Sequence, residues 1–306
     1  MPTFPPAAPT LSGDLLTIHR LLQTPTLLQR RLRTITDLRF VSDQILTQRF
    51  RSSGGAVLYE VSEPIVSNRT VESVAPGAEY PMATTPEGAA ALAAVLNWGQ
   101  ATLITDAEIK RSVPMGNSVD RKLRKLMNSV ISRIDAITMS AVGSAVTATT
   151  AAGNNWDAAG ATILRNLEVA KAQIIDLNQG YNPDTVLMSS TKYAEMASDE
   201  KVSSLRRREA TDNPVYTGTI DVIDDLRVVT TSSSNLPSDD VWVLDSTQLG
   251  GMADETEVDP GYTMAELGIQ VQTMRVPKRD SFEMWARRIT VPVIQEPSAA
   301  IKITGT

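Results

Sequence analysis

The chain has 306 residues, a formal net charge of −6, no cysteine and one histidine. That length can bury a substantial core unaided, and the missing cysteines exclude disulfides, thiolate zinc sites and thiol nucleophiles together. The acidic balance argues against a dedicated sequence-specific DNA binder. His19, among Leu15, Leu16, Ile18, Leu21 and Leu22, lacks partners for general-base work and reads as a packing residue.

The first ten residues contain four prolines (Pro2, Pro5, Pro6, Pro9) and no repeating apolar pattern, so they read as extended chain that cannot fold alone. Residues 1–53 carry seven arginines (Arg20, Arg30, Arg31, Arg33, Arg39, Arg49, Arg51) against three acids (Asp14, Asp37, Asp43), which leaves the remainder correspondingly acidic. After the turn signal Ser52-Ser53-Gly54-Gly55, the run Ala56-Val57-Leu58-Tyr59-Glu60-Val61 reads as a strand. Residues 70–74, ahead of Ala75-Pro76-Gly77, read as its partner in a long hairpin.

Residues 101–106 read as a strand leading into Glu108-Ile109-Lys110-Arg111-Ser112, and Pro114 and Gly116 break the chain before the strongest helical signal. From Asn117, an N-cap candidate, apolar residues fall at Val119, Leu123, Leu126, Val130, Ile134, Ile137 and Ala141. This single stripe lasts about 28 residues, roughly 40 Å of helix. Arg121, Lys122, Arg124 and Lys125 lie on the opposite side, where a basic face is ordinarily solvated.

Residues 147–155 read as a small-residue linker. Ile163, Leu167, Ala170, Ile174 and Leu177 then mark a second amphipathic helix, stopped by Gly180 and Pro183. A strand at 185–188, a short helix at 191–198 and strands at 226–230 and 241–244 imply a compact α/β unit of about 100 residues. β character returns at 267–274 and 283–294, around the turn-like Pro277-Lys278-Arg279-Asp280. With β-rich segments early and late and α/β between, the ends of the chain are expected to share one domain into which the middle is inserted.

Motifs for chemistry are weak. Ser189-Ser190-Thr191-Lys192 matches the S-x-x-K of serine acyl-enzymes without its companion elements, and neither a phosphate-cradling loop nor a dinucleotide fingerprint occurs. The pairs Asp224-Asp225 and Asp239-Asp240 read as solvated turns. The acidic run at 254–259 lacks the spacing and glycine of a calcium loop. Asn68-Arg69-Thr70 fits a glycosylation sequon but follows no secretion signal, and Arg206-Arg207-Arg208 reads as a surface loop. No run approaches the ~20 apolar residues of a membrane helix. The expectation is a soluble, unsecreted, non-enzymatic protein with no catalytic residues, cofactor or metal.

Taken in order, these segments resemble the tailed-bacteriophage major capsid protein family, whose members share the Hong Kong ninety-seven type capsid fold. The likeness is carried by Gly99-Gln100-Ala101-Thr102-Leu103-Ile104-Thr105-Asp106-Ala107-Glu108-Ile109 leading into the long helix, and by Arg133-Ile134-Asp135-Ala136 running out to Gly143. Asn182-Pro183-Asp184-Thr185-Val186-Leu187-Met188, Glu296-Pro297-Ser298-Ala299-Ala300 and Ile303-Thr304-Gly305 add to it. The order of these segments carries the likeness, since no one of them is diagnostic.

The resemblance implies an α+β fold: an N-terminal arm at 1–50, an extended β-hairpin loop at 51–90 and a peripheral domain with a long spine helix at 91–150. An inserted α/β axial domain follows at 151–251, and the chain returns to the peripheral domain at 252–306. It further implies pentamers and hexamers of an icosahedral shell around double-stranded DNA, assembled in the bacterial host cytoplasm. The partners implied are copies of the chain, nonspecifically bound DNA and separate scaffolding, portal and cement proteins, with no membrane. Val57, Leu58 and Tyr59 are the expected intersubunit contacts, and Arg30, Arg31 and Arg33 the DNA-facing residues.

Two other readings compete. A bacterial nanocompartment shell protein would share the fold but enclose an enzyme, and the arginine-rich start favours DNA over it. A cytosolic α/β hydrolase is opposed by the missing cysteine and the lone His19, although carboxylate-only chemistry would need neither.

Some members of the family weld subunits through a Lys–Asn isopeptide bond whose lysine sits on the extended loop. This chain has no lysine before Lys110, and an always-protonated arginine cannot supply the amine nucleophile. Particles boiled in detergent should therefore run as one band near 33.1 kDa; a covalent ladder would contradict this.

Overall fold

The structure is a computed structural model that describes residues 40–112, 118–158, 160–205, 220–236, 240–255, 257, 259–264 and 268–306. Three sheets organise these residues. The first contains β1 (Gln48–Ser52), β4 (Leu96–Thr105), β10 (Gly250–Glu255), β11 (Thr263–Met264), β12 (Gln270–Val276) and β13 (Ser281–Ile294). The second contains β5 (Thr149–Ala151), β6 (Thr185–Ser189), β7 (Val222–Ile223), β8 (Leu226–Thr231), β9 (Asp240–Leu244) and β14 (Ala300–Thr304). β2 (Ala56–Val61) and β3 (Ala89–Ala94) pair only with each other.

Helices complete the α+β architecture. α1 (Ser42–Ile45) precedes β1, α2 (Asp106–Ser112) follows β4, and α3 (Ser118–Ala145) is the long helix read from the sequence. α4 (Ile163–Ile175), α5 (Ser190–Ser198) and α6 (Glu200–Leu205) belong to the second unit. Among the described residues no helix is long and apolar enough to cross a membrane.

Strand β13 organises the first sheet. Its residues 281–287 lie between β12 and β4, and its last five residues pair with β10. Its burial alternates as a half-covered strand requires: Phe282, Met284 and Ala286 are buried in the core shared with α3, while Trp285 is exposed. β10 has little strand propensity in Gly250-Gly251-Met252-Ala253-Asp254-Glu255. A Cβ on Gly251 would stand 2.4 Å from the Gln48 carbonyl oxygen, so glycine is what lets β1 lie parallel beside it.

The second sheet is buried on both faces, and the alternation of its strands divides the core in two. Val186 and Met188 of β6, Val241 and Val243 of β9, and Ile301 and Ile303 of β14 face α4, with Leu167, Ala170 and Ile174. Leu187, Trp242, Leu244 and Ala300 face the other way and join the cluster that contains α3. One helix thus packs against both sheets.

As far as Ile134, α3 buries Leu123, Leu126, Val130 and Ile134, as the stripe predicts. Further on, Met139 and Val142 are buried and the predicted Ile137 and Ala141 are only partly so. A straight helix of 3.6 residues per turn drifts about 20° per heptad against a strict 3–4 repeat, and here the drift carries the buried face toward Trp242. Gly143 permits the approach, since a Cβ there would lie 3.3 Å from the indole. The Lys302 ammonium, over the same indole at 5.7 Å, donates to the Gly143 carbonyl at 2.5 Å.

The structure corrects three readings. Residues 70–74 form no strand; the partner of β2 is the alanine-rich β3, whose composition carries no strand signal. The small-residue linker at 147–155 contains β5, which pairs parallel to β14. And 252–306 does not return whole to the first sheet, because β14 inserts between β5 and β9 to bury Ile301 and Ile303 in the second core.

Trp242 is the largest fully buried side chain of the described residues and sits where helix and second sheet meet. Trp242→Ala should cost about 3–5 kcal/mol in urea unfolding of the unassembled subunit, with both sheets melting together. Loss of the second unit alone would contradict a shared core.

Candidate intersubunit surface

Residues 40–46 are pinned to the body by two buried ionisable side chains. The backbone N–H groups of Val41 and Ser42 donate to Asp135 Oδ2 at 3.2 Å and Oδ1 at 3.0 Å, so a carboxylate on α3 occupies the amide end of α1. Burial pushes the Asp135 carboxyl above its ordinary range, although those two amides pull the other way.

Arg288, 1% exposed, donates from Nε to Asp254 Oδ1 at 3.0 Å and from Nη2 to Asp254 Oδ2 and Asp43 Oδ1 at 3.1 Å each. Its guanidinium also lies 4.6 Å from the centroid of Phe40. Burial alone disfavours this cation, but the two aspartates outweigh it and hold the group above its usual value. The knot ties α1, β10 and β13 at the point where the chain leaves the arginine-rich residues 1–39.

The hairpin that follows has no such support. Leu58 of β2 stands opposite Leu92 of β3, and the two are 74% and 70% exposed. Val57 and Tyr59 point to the other face and are half-buried, so the three adjacent residues named from the sequence divide between two faces, as any three in a strand must. Leu92 was missed because an alanine run offers no contrast from which to read a face.

Between the strands, 62–88 is rooted but uncovered. Ser62, at φ 56°, donates its N–H to the Gln295 carbonyl at 2.9 Å, and the Glu63 N–H donates to Glu296 Oε1 at 3.0 Å. Glu296 Oε2 accepts from the Tyr181 hydroxyl at 2.8 Å, and the Ile65 N–H reaches Gln179 Oε1 at 3.3 Å. Higher up, the Asn68 and Thr84 side chains bond each other across the loop. Beyond that root Ile65, Val66, Val71, Tyr80 and Met82 lie exposed, Val71 at 95% and Met82 at 90%.

Among the described residues, eight of the fourteen exposed large hydrophobic side chains fall between Leu58 and Leu96. Single exposed apolar side chains are ordinary, but a concentration like this marks a contact surface. A second candidate face is the open side of the first sheet, where Met274 and Trp285 are also exposed.

Other residues singled out from the sequence find structural roles or none. Ser189 caps α5 by accepting the Lys192 N–H at 3.3 Å; buried Lys192 donates to the Thr306 carbonyl at 2.7 Å and to Glu195. Asp224 and Asp225 form the tight turn before β8, both at positive φ. Asp254 and Glu255 are strand residues rather than loop acids. Arg30, Arg31, Arg33, His19, Asn117 and Arg206-Arg207-Arg208 lie outside the described residues. Among the described residues no group of three acids or histidines is placed to hold a metal.

Comparison with known proteins adds the following. The family model described as "Phage capsid protein" matches residues 88–303, and no curated protein matches the sequence. Among solved structures, the capsid of cyanophage P-SCSP1u is similar with a TM-score of 0.62 at 13% identity, covering 88% of this chain and 89% of that one. A structure from Microbacterium phage Oxtober96 gives 0.59 at 10% identity over 87% and 90%. A virus-like particle from Pyrococcus furiosus gives 0.57 at 10% identity over 90% and 95%. At these identities the likeness is one of fold.

Because burial favours protonated Asp135 in the fold, its contribution to stability is present below the ordinary carboxylate range and is lost as pH rises through the raised value. Asp135→Asn removes that dependence. Urea unfolding at about pH 4 and about pH 7 should show the difference between variant and parent shifting in the variant's favour at the higher pH. A difference independent of pH would contradict the assignment.

Proposed function

The chain belongs to the phage capsid protein family, and from that premise we propose that its copies close into an icosahedral shell of five-fold and six-fold rings around double-stranded DNA. Its role is structural and its place is the virion capsid. Closed shells arise when one surface patch meets a different patch on the next copy and the rotation closes. The observation that carries this reading is the Leu58–Leu92 pair, left wet on a two-stranded hairpin that is marginal in isolation.

In the proposed shell, 1–50 is the arm, 51–90 the extended loop over a neighbour, and 91–150 with most of 252–306 the peripheral domain. The axial domain is 151–251 together with β14. The loop's apolar side chains seat on a neighbouring copy, for which the open face around Trp285 and Met274 offers apolar area. Arg30, Arg31 and Arg33 face the lumen, where nonspecific positive charge favours DNA. Assembly takes place in the host cytoplasm with separate scaffolding, portal and cement proteins.

Electron microscopy of the concentrated protein should show closed particles. Leu58→Asp with Leu92→Asp should abolish them while leaving subunit stability within about 0.5 kcal/mol, the usual range for exposed sites. Equal loss of folded subunit and of particles would place these side chains in a subunit core.

A further inference from the structure

From Arg121 onward the side of α3 turned away from both cores is basic. Its exposed residues there include Arg121, Arg124, Lys125 and Arg133; of the helix's two acids, Asp120 precedes this stretch in the first turn and Asp135 is buried beneath α1. The nearest acid on α2, Glu108, is already engaged by Lys122 at 2.8 Å. Arg133 is held by the half-buried Trp98, its guanidinium 5.6 Å from the ring centroid. Farther along, the exposed positions Ser140 and Ser144 are small, so among the described residues the helix presents no bulky side chain there to a broad partner.

The opposite broad side of this unit, the open face of the first sheet, is mixed rather than basic: Met274 and Trp285 are exposed beside Glu283, whose Oε2 accepts from Trp285 Nε1 at 3.4 Å. A wall built from such units turns one broad side to neighbours or solvent and the other inward. We infer that the exposed face of α3 is a nonspecific phosphate-backbone contact for the packaged nucleic acid, separate from the basic arm. This rests on the proposed enclosure of DNA.

The dimensions fit that partner. Arg121 and Arg133 are separated by about 18 Å of helix axis, a span that meets about five phosphates at roughly 3.4 Å of axis per strand charge. The side chains are spread along the helix rather than converging on one base edge, so they can neutralise charge without reading sequence.

The test uses the full-length unassembled subunit and a fluorescent 20-base-pair duplex titrated at several salt concentrations. Arg121→Gln, Lys125→Gln and Arg133→Gln together should lower the slope of log affinity against log salt by about 2.7, three charges at about 0.9 each. The inference is overturned by an unchanged slope, by an equal loss from Arg69→Gln, Lys201→Gln and Lys278→Gln elsewhere on the surface, or by tighter binding of polyglutamate than of the duplex. Microscopy of parent and variant separates the two claims. Particles from both with an unchanged DNA slope sink this inference alone, whereas absence of particles from both sinks the shell reading while the titration still decides whether the helix binds DNA.

Discussion

One helix has to satisfy two sheets. Over 28 residues α3 covers β4 and β13 with its first half and reaches Trp242 with its second, so the two units share a continuous apolar cluster instead of meeting across a polar seam. Interfaces between separate domains are ordinarily smaller and more polar and allow relative motion. A joint packed like a core transmits load rigidly, which suits a structural capsid subunit. The charged knot of Asp43, Arg288 and Asp254 extends this frame to the start of the described chain, and its desolvation cost is met only because each guanidinium edge finds a carboxylate.

Against that frame the hairpin and its loop stand out. The body buries Ile, Leu, Val and Met wherever a strand or helix turns them inward, yet 56–96 leaves Leu58, Val71, Tyr80, Met82, Leu92 and Leu96 in water. Placing so much apolar surface on an arm outside the core would be costly for a lone subunit. The cost disappears if a neighbouring copy covers it. The same division of labour appears in the helix, whose inner face builds the subunit and whose outer face is left basic.

What could be read from the sequence depended on whether the signal was local. The 3–4 spacing of Leu123, Leu126, Val130 and Ile134 reports a helix whatever surrounds it, and Val57 and Tyr59 report a strand through their own side-chain shape. β3, β1 and β10 were not readable: an alanine run, the polar Gln48-Arg49-Phe50-Arg51-Ser52 and a Gly-Gly start become strands only because a partner strand lies alongside. The knot was hidden for the same reason, since Asp43 and Arg288 are 245 positions apart, and so was the crossing of β14 into the second sheet. The family likeness carried the architecture further than the residues alone could, while the contact residues still had to be found from exposure.

The claim that the hairpin surface exists to be covered by another copy is open to one direct measurement: amide hydrogen exchange of the assembled particle against the free subunit, read on peptides spanning 56–96 and, as reference, on peptides from α3. Coverage by a neighbour requires exchange across 62–88 to slow by at least tenfold on assembly, about 1.4 kcal/mol of added protection, with the buried turns of α3 changing little. Exchange in 62–88 that is as fast in particles as in free subunits would contradict the account.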